Sequence, residues 1–425
     1  MWDAKDFPDK PIALVMNSWV SGLGVVRSLG VKGVPILALD PDPWAFGLYS
    51  KYARRSICPD PLRSEEAFVD FLIDIGKRLP VRGILFPTAD PYVVAIAKAR
   101  DRLERYFWIP FSPWKIIREI VDKELQYKKA AKADIPIPET FFPKSKLEAE
   151  EIGKTIKYPV ILKPAYSHPF VANYGIKAVK VNSRQELTRE YEKYTSAGHK
   201  MLVQEIVGRE GDELYEFFSY TDRAGEPVAS FVQRKLEQFP ADFGTGTVFE
   251  SADEPEIVEL GLKLLKAFGY YGISFSEFKR DPAAPYGRPV GADGEFKLME
   301  LNPRTTHCND LATACGVNFP HIVYEHLLGK AMEKTDAYPC GRRTGLASLG
   351  VRWIHLEERL SKQRKILIRV GRRGASGNKR IIFAVFTSSD PVPELVYIFH
   401  AVYLRARNFL AAVRALLVKS LSGKK

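Results

Sequence analysis

The sequence has few cysteines, and none of them belongs to a metal-binding or redox pair. The four are Cys58, Cys308, Cys315 and Cys340, with no CxxC spacing and no histidine partner at zinc-finger distance. Isolated cysteines of this kind are typical of reduced thiols and not of a disulfide framework. The pattern therefore argues against a zinc-binding module and against a small secreted scaffold.

The sequence also lacks a long apolar run. The N-terminal stretch "MWDAKDFPDKPIALVM" carries charges where a signal peptide needs apolar residues. No apolar segment reaches the roughly 20 residues of a membrane-spanning helix. We therefore expect a cytoplasmic protein. With 425 residues, 46% hydrophobic and 12% aromatic, the chain is expected to form two or three globular domains.

Acidic residues are scarce in the C-terminal region. From Arg342 onward, 18 lysines and arginines stand against four acidic residues, a net charge of +14. The whole chain carries +12, so the remainder carries −2. The basic character belongs to this region and not to the main body of the protein. No nucleic-acid-binding motif accompanies it, so a specific nucleic-acid partner is not expected.

Residues 1–115 alternate short apolar strands with helices, which favours a parallel sheet with ligand loops at the carboxyl ends of its strands. Gly22 and Gly24 match part of a dinucleotide-binding fingerprint. Arg27, however, stands at the position of the third glycine. A simple strand-to-helix turn is the favoured interpretation of these glycines, and a nicotinamide-dependent oxidoreductase is poorly supported.

Polar side chains recur at every second position near residue 300. In "FKLMELNPRTTH", Glu300, Asn302 and Arg304 share one face of a predicted strand. The preceding strand, "GISFSEFKRD", carries Glu277. The linker between them permits an antiparallel pair, which would bring Glu277 beside Glu300.

Two carboxylates that converge in a half-buried sheet repel each other unless a cation lies between them. Carboxylate and amide oxygens are ligands that Mg²⁺ prefers, so Glu277, Glu300 and Asn302 are candidate metal ligands. Arg304 would supply positive charge to a reacting phosphoryl or acyl phosphate group. An edge strand with solvated charges is the alternative interpretation.

Two lysines favour the ligand-binding interpretation. Lys163 ends the apolar strand "PVILKP", where an unpaired charge is costly. Lys123 follows a predicted helix N-cap, Asp122, and helix N-termini attract phosphate. Together with the acidic strands, the lysines predict a site for a nucleoside triphosphate.

Five segments resemble those of the ATP-grasp superfamily and occur in the family's order. They are "DKELQYKKAAKADIPIPET", "YPVILKP", "VQEIVGREGDE", "FSEFKRD" and "MELNPR". Residues 1–330 are similar to this superfamily, and within it to carboxylate–amine ligases and carbamoyl-phosphate-synthase-like members. The implied fold is mixed α/β and α+β, with a Rossmann-like pre-ATP-grasp domain (1–115), a two-lobed ATP-grasp fold (small lobe 116–199, large lobe 200–335) and a basic C-terminal extension (336–425).

The resemblance also implies roles for individual residues. The residues that match ATP-binding positions are Lys123, Lys163, Gln204, Glu205, Ile206, Val207 and Glu213. The residues that match Mg²⁺ (or Mn²⁺) ligands are Glu277, Glu300 and Asn302. The residues that match catalytic positions are Arg304, which faces the reactive phosphate, and Arg234 or Lys235 near the acceptor carboxylate. Solvated charges are the alternative interpretation of Glu213, Arg234 and Lys235.

Two segments depart from the pattern of the family. The stretch "AYSHPFVANYG" stands where many members have a glycine-rich lid over the phosphates, and it contains only Gly175. The side chains of His168, Asn173 or Tyr174 could replace the missing backbone donors, or the lid could order only with substrate. "TTHCND", which follows Arg304, is expected to line the acceptor pocket.

The implied activity is an ATP-dependent ligation. A substrate carboxylate would be activated as an acyl phosphate and joined to an amine, releasing ADP and phosphate. Small-molecule carboxylates and amines are the expected partners, and a homodimer is left open. The alternatives are an inactive or regulatory ATP-binding protein at a membrane surface, and a phosphotransferase that stops at the phosphorylated product.

The stretch "VYIFHAVYLRARNFLAAVRALLVKSL" predicts a C-terminal helix that mixes apolar and basic residues. A basic amphipathic helix with few acids can lie on the anionic inner face of a membrane. A helix whose apolar face docks on the body of the protein is the second interpretation.

Overall fold

Three β-sheets organise the chain in the computed structural model, which describes residues 10–208, 214–240, 242–282, 294–330, 352–354 and 381–422. The strands of the N-terminal sheet are β1 (Ala13–Met16), β2 (Ile36–Asp40), β3 (Arg54–Ile57), β4 (Gly83–Pro87) and β5 (Phe107–Trp108). They pair in parallel in the order β3-β2-β1-β4-β5. The helices that accompany them are α1 (Val20–Gly30), α2 (Glu65–Arg78), α3 (Asp90–Lys98) and α4 (Arg100–Leu103). The parallel sheet predicted from the strand–helix alternation is confirmed.

A second, smaller sheet follows two connecting helices, α5 (Trp114–Val121) and α6 (Lys123–Lys132). Its strands are β6 (Thr140–Phe141), β7 (Val160–Pro164), β8 (Val179–Val181) and β9 (Met201–Glu205). They pair antiparallel in the order β6-β9-β7-β8. The helices of this small lobe are α7 (Lys146–Thr155), α8 (Ser167–Tyr174) and α9 (Arg184–Ser196).

The third and largest sheet forms the large lobe. Its strands are β10 (Leu214–Thr221), β11 (Pro227–Phe239), β12 (Thr245–Ala252), β13 (Gly272–Asp281), β14 (Glu295–Asn302), β15 (Arg352–Ile354) and β16 (Ile381–Phe383). Their order is β14-β13-β10-β11-β12-β15-β16. The helices are α10 (Pro255–Phe268), α11 (Asn309–Ala314) and α12 (Phe319–Leu327). The C-terminal region therefore supplies two strands to this sheet.

The N-terminal sheet and the large lobe share their hydrophobic cores. One core joins Leu14 and Phe68 to Phe217 and Leu264. The other joins residues of β1 and α1 to residues of β10 and α12. The small lobe has a separate core, built around buried residues such as Phe170. Because buried apolar surface is the main stabilising term in folding, these clusters mark one large packed body and one smaller body.

Gly22 and Gly24 lie inside helix α1 and not in the turn that precedes it. A Cβ atom on Gly24 would lie 2.6 Å from Oδ1 of Asn309, and one on Gly22 would lie 2.3 Å from the carbonyl oxygen of Asn17. Close packing of α1 on the strand loop and on the large lobe therefore explains both glycines.

The last described helix, α13 (Val392–Ser422), begins on the surface of the N-terminal sheet. The ring of Tyr397 lies 5.6 Å from that of Phe46, and His400 stacks on Trp44 with 5.2 Å between ring centroids. The start of the helix thus docks on the protein, as the second interpretation predicted. No helix among the described residues is long and apolar enough to span a membrane.

The fully buried Asp390 fastens this region just before α13. Its carboxylate accepts hydrogen bonds from Nε of Arg27 (3.0 Å), from Oγ of Ser50 (2.7 Å) and from the backbone N–H of Lys51 (2.9 Å). Buried donors that lose such an acceptor are costly to leave unpaired. The carboxylate therefore ties the C-terminal region to the N-terminal sheet.

We predict that Asp390→Ala lowers the free energy of unfolding by about 3 kcal/mol, because Arg27 and two other donors lose a buried partner. Guanidinium denaturation followed by circular dichroism measures the change. The matched control is Asp74→Ala, because Asp74 forms an exposed ion pair with Lys77, and such pairs contribute little. Equal effects of the two substitutions would contradict the prediction.

Candidate active site

The candidate site begins at the N-terminus of helix α6. The carboxylate of Asp122 caps the helix and accepts hydrogen bonds from the N–H groups of Glu124 (2.9 Å) and Leu125 (3.3 Å). Lys123, the first helical residue, is buried, and its ammonium group forms an ion pair with the Glu300 carboxylate. The N-cap predicted from the sequence is present, and it aims a lysine at the acidic strand.

Helix α6 is held to strand β14 by a buried glutamine. Nε2 of Gln126 donates to the carbonyl oxygen of Leu301 (2.8 Å), and the Leu301 N–H donates back to Oε1 of Gln126 (3.0 Å). The hydroxyl of Tyr127 donates to the carbonyl oxygen of Met299 (2.5 Å). Sequence reasoning missed Gln126. Its position three residues after Lys123, where it falls on a similar face of the helix, was the available signal.

Strands β13 and β14 pair antiparallel, with Glu277 directly opposite Glu300 and Phe275 opposite Asn302. The two carboxylates predicted to converge are therefore neighbours across the strand pair. Burial raises the pKa of Glu300, but Lys123, Lys163 and Arg304 outweigh it and lower the pKa to about 2. Glu300 is therefore ionised at neutral pH, as a metal or lysine partner requires.

Lys123 is charged as well. Burial lowers the pKa of Lys123, but the Glu300 carboxylate more than offsets this, so that the pKa is raised. Nζ of Lys163 donates to Oε1 of Gln204 (2.8 Å), and Gln204 is fully buried. Lys123 and Lys163 thus bring two cations to the acidic strand pair from the helix and from the small lobe.

The two candidate basic residues of β11 point to different places. Nζ of Lys235 lies 3.6 Å from Oε2 of Glu277, and its side chain is 9% exposed. Nη2 of Arg234 lies 3.5 Å from Oε1 of Glu250. Of the two, Lys235 is the one that approaches the carboxylate pair.

A buried glutamate, Glu216, extends the acidic face and was missed in the sequence. It lies opposite Glu277 on strand β10 and accepts a hydrogen bond from Nε2 of Gln233 (2.8 Å). The same Nε2 lies 2.8 Å from Sγ of Cys308, within the "TTHCND" segment. Burial, helped by the nearby Glu277, raises the pKa of Glu216. An acidic residue inside the otherwise apolar stretch "LYEFFSY" was the sequence signal that could have identified Glu216.

The predicted hinge strand β9 joins the small lobe to the large lobe. The Glu205 carboxylate accepts from Nζ of Lys297 (2.6 Å) and from the backbone N–H of Glu139 (2.9 Å). Nζ of Lys297 also lies 2.8 Å from Oδ2 of Asp281. The Glu205 side chain is therefore engaged between the lobes. Ile206 and Val207 follow the end of β9, and Glu213 lies outside the described residues.

Arg304 reaches across to the N-terminal sheet. Its Nε donates to Oδ1 of Asp90, at the start of α3, and its Nη1 donates to the carbonyl oxygen of Thr305 (3.1 Å). Nη2 lies 3.4 Å from Oδ1 of Asn302. Nε2 of His168 lies 3.9 Å from Oδ2 of Asp90. Arg304 and His168 therefore meet at the Asp90 carboxylate, and Arg304 also approaches the metal-ligand candidate Asn302.

The lid segment is a helix, α8, which ends at Gly175 with φ of +67°. Phe170 anchors the helix in the small-lobe core, against Tyr194 at 4.9 Å between ring centroids. Asn173 and Tyr174 lie beside His199, away from Arg304. Of the three lid residues considered as phosphate ligands, His168 is the one near the candidate site.

The predicted metal ligands suit Mg²⁺ by their chemistry. Among the described residues, no three His, Cys, Asp and Glu side chains are arranged to hold a metal ion. Glu277 and Glu300 contribute two adjacent carboxylates, and Asn302 contributes an amide oxygen. In the part of the chain that the structure describes, Nδ2 of the buried Asn302 has no hydrogen-bond partner. The carboxylate oxygens of Glu277 and Glu300 and the amide oxygen of Asn302 are hard donors, which Mg²⁺ prefers.

A second buried glutamate, Glu124, forms ion pairs with three lysines at the start of α6. Burial raises the pKa of Glu124, but hydrogen bonds from Lys128, Lys144 and Lys200 outweigh it and lower the pKa from 4.5 to about 2. Because the pKa of Glu124 is lower in the folded protein, its contribution to stability is complete above pH 4.5. The contribution is lost as the pH falls from 4.5 toward 2.

We predict that Glu124→Gln costs about 1–3 kcal/mol of unfolding free energy at pH 7 and much less at pH 3. Urea denaturation of both proteins at the two pH values measures the difference. Glu151→Gln is the control, because Glu151 forms an exposed ion pair with Lys154 on α7. A cost that does not shrink at pH 3 would show that Glu124 does not act through its charge.

No protein-family model matches the chain. The chain is 22% identical over 329 residues to the D-aspartate ligase of Enterococcus faecium (strain Aus0004), which covers 74% of this chain and 76% of that protein. It is also 22% identical over 335 residues to the carbamoyl phosphate synthase large chain of Methanothrix thermoacetophila, covering 74% of this chain. The chain spans only 28% of the length of that synthase.

Solved structures share the fold at low sequence identity. The biotin carboxylase domain of Hydrogenobacter thermophilus 2-oxoglutarate carboxylase, in complex with MgADP, ADP and bicarbonate, has a TM-score of 0.58 and 19% identity, covering 77% of this chain and 71% of that chain. The L-amino acid ligase of Bacillus licheniformis has a TM-score of 0.57 and 17% identity, covering 78% and 76%. Taken with the three sheets, these matches confirm the predicted fold, a Rossmann-like domain followed by a two-lobed ATP-grasp fold.

Proposed function

We propose that the protein is an ATP-dependent ligase that activates a substrate carboxylate as an acyl phosphate and joins it to an amine. The observation that carries the proposal is the pairing of Glu277 with Glu300 across β13 and β14, with Lys123 on Glu300. The D-aspartate ligase and L-amino acid ligase among the similar proteins support the same class of reaction. The structural relative with bound MgADP supports ATP and Mg²⁺ as the nucleotide and metal.

In this proposal Lys123 and Lys163 bind the phosphates of ATP, and Glu277, Glu300 and Asn302 hold Mg²⁺. The metal would neutralise charge on the phosphate oxygens. Before ATP binds, the contact between Lys123 and Glu300 compensates the buried charge of Lys123 and the half-buried charge of Glu300. Nucleotide and metal would then give each of them a new partner of opposite charge.

The hinge residues Gln204, Glu205, Ile206 and Val207, with Glu213 beyond them, are proposed to line the adenosine site. Because the Glu205 carboxylate is engaged by Lys297, we assign the adenine contacts to the backbone of this strand. Arg304 is proposed to face the reacting phosphate. Lys235, and not Arg234, is proposed as the further catalytic cation, because Lys235 approaches Glu277.

The chemical step needs little covalent work from the protein. A carboxylate oxygen of the substrate attacks the γ-phosphorus, the bond from that phosphorus to the β–γ bridging oxygen breaks, and ADP leaves. The amine then attacks the acyl carbon, and phosphate leaves. The acyl phosphate must be kept from water, and we propose that helix α8, whose His168 lies 3.9 Å from Asp90, covers the site.

We predict that Glu300→Gln reduces ADP release at least 100-fold while the protein remains folded. The substitution removes the charge of one carboxylate that is both a proposed metal ligand and the partner of Lys123. A coupled ADP-release assay over pairs of acids and amines, with product mass spectrometry, provides the measurement. Glu259→Gln, on the exposed face of α10, is the control variant.

Turnover of Glu300→Gln at the wild-type rate would refute the site assignment. ADP release without an amide product would favour the phosphotransferase alternative. Binding of ATP without ADP release for any pair would favour an inactive or regulatory protein.

A second proposal concerns helix α13, which is apolar on two sides. Tyr397 and Pro393 face the protein, whereas other apolar side chains are exposed, namely Leu395, Ile398, Phe399, Val402 and Leu410. A helix that is apolar on more than one face needs a second apolar environment. Because residues from Arg342 onward carry a net charge of +14, we propose that this face lies on an anionic membrane surface. A cytoplasmic location agrees with this proposal.

We predict that the protein co-sediments with phosphatidylserine-containing vesicles, and that Phe399→Glu reduces the bound fraction several-fold because a charge replaces an inserted ring. Leu147→Glu is the matched control, since Leu147 and Phe399 are both 67% exposed. Equal binding of both variants would contradict the proposal. A second copy of the chain could cover this face instead, and light scattering tests that alternative. If the protein is a homodimer through this face, Phe399→Glu would halve its mass.

A further inference from the structure

The start of helix α6 is capped by the small lobe as well as by its own N-cap residue. The N–H groups in the first turn of a helix have no partner within the helix. The side chain of Asp122 accepts those of Glu124 and Leu125. The N–H of Lys123 donates instead to the carbonyl oxygen of Ala165 (3.2 Å). Because Ala165 directly follows strand β7, the small lobe supplies part of the cap of α6.

A second hydrogen bond joins the same two segments. The hydroxyl of Tyr166, the residue before α8, donates to Oδ2 of Asp122 (2.7 Å), and Asp122 is only 6% exposed. Burial, together with this hydrogen bond, raises the pKa of Tyr166 to about 12. The hydroxyl therefore keeps its proton at neutral pH and can donate it. We call these two hydrogen bonds, from 165–166 to 122–123, the clasp.

The clasp connects two parts of the protein that are anchored separately. Helix α6 belongs to the large body, since Gln126 forms hydrogen bonds with the backbone of Leu301 and Ala130 lies in a core of that body. Ala165 belongs to the small lobe, where its N–H donates to the carbonyl oxygen of Lys200 (2.8 Å), just before β9. The clasp therefore bridges the boundary between the two bodies.

Two lysines that are proposed to bind the phosphates of ATP lie on opposite sides of this boundary. Lys123 is part of the clasp, and its ammonium group contacts Glu300. Lys163 lies on β7, two residues before Ala165, and its ammonium group donates to Gln204 of the small lobe (2.8 Å). A single triphosphate can contact both ammonium groups only while the two bodies keep the right distance. Cations that are positioned in advance bind an anion more tightly than cations that must be brought together.

We propose that Tyr166 is a positioning residue, whose hydrogen bond to Asp122 holds Lys163 of the small lobe beside Lys123 of the large body. Both ammonium groups can then meet the phosphates of one ATP molecule. The inference rests on the proposed function, because that function assigns the two lysines to ATP. The clasp acts at the phosphate end of the nucleotide, so its loss should weaken binding of phosphates and not of adenosine.

Hydrogen exchange of the full chain, followed by mass spectrometry, measures the clasp itself. In Tyr166→Phe the amide of Lys123 should exchange about 5-fold faster, because the small lobe releases it more often. Asp122→Asn should have the same effect. Asparagine caps a helix about as well as aspartate, but its single side-chain oxygen is used by the cap. Tyr174→Phe is the control, because the ring of Tyr174 packs in the small-lobe core, and it should leave this exchange unchanged.

Isothermal titration calorimetry of the full chain with Mg²⁺ tests the effect on the lysines. The probes are adenosine and AMP-PNP, an ATP analogue that is not hydrolysed. Tyr166→Phe should weaken AMP-PNP binding roughly 5-fold and adenosine binding less than about 2-fold. In a Lys123→Met background the same substitution should weaken AMP-PNP binding less than about 2-fold, because the residue that it positions is gone.

Three results would each overturn the proposal. The first is unchanged exchange of the Lys123 amide in both Tyr166→Phe and Asp122→Asn. The second is an equal loss of adenosine and AMP-PNP binding in Tyr166→Phe. The third is an effect of Tyr166→Phe that persists in full in the Lys123→Met background.

The same titrations separate this inference from the proposed function. AMP-PNP binding that Lys123→Met leaves unchanged would contradict the phosphate site, and the proposed function with it. Weaker AMP-PNP binding in Lys123→Met, with wild-type binding in Tyr166→Phe, would support the phosphate site and overturn only the positioning role of Tyr166.

Discussion

The contact between Lys123 and Glu300 is the constraint on which the candidate site depends. It joins the first residue of α6 to the acidic strand β14, and the buried ammonium group of Lys123 would be costly in its place without that carboxylate. Gln126 forms hydrogen bonds with both the backbone N–H and the carbonyl oxygen of Leu301, and Tyr127 donates to the carbonyl oxygen of Met299. These bonds keep the helix and the strand in a fixed register.

The sequence was sufficient for those parts of the site that follow from local periodicity. The two-residue spacing of Glu300, Asn302 and Arg304 predicted a shared face, and the pairing of Glu277 with Glu300 followed from two consecutive strands and the linker between them. The Asp122 cap followed from residue type and position. These features depend on neighbours within one or two elements, where backbone geometry determines which way each side chain points.

Other features depend on contacts between distant segments, which periodicity does not encode. Arg304 meets Asp90, which lies 214 positions earlier in the chain, and Glu205 meets Lys297 across the lobes. The lid segment is a helix because Phe170 packs on residues of α9 and not because its own sequence is strongly helical. Gly24 is small because Asn309 approaches it. Tertiary packing decides each of these cases.

The late position of β15 in the chain affects how the large sheet forms during synthesis. Strand β12 ends at Ala252, whereas its neighbour β15 begins at Arg352. At about 5–20 residues per second, a ribosome needs roughly 5–20 seconds to synthesise the intervening chain. During that interval β12 is an unpaired sheet edge, which is the kind of surface that promotes association between nascent chains. Newly made protein should therefore need chaperone protection until its C-terminal strands emerge.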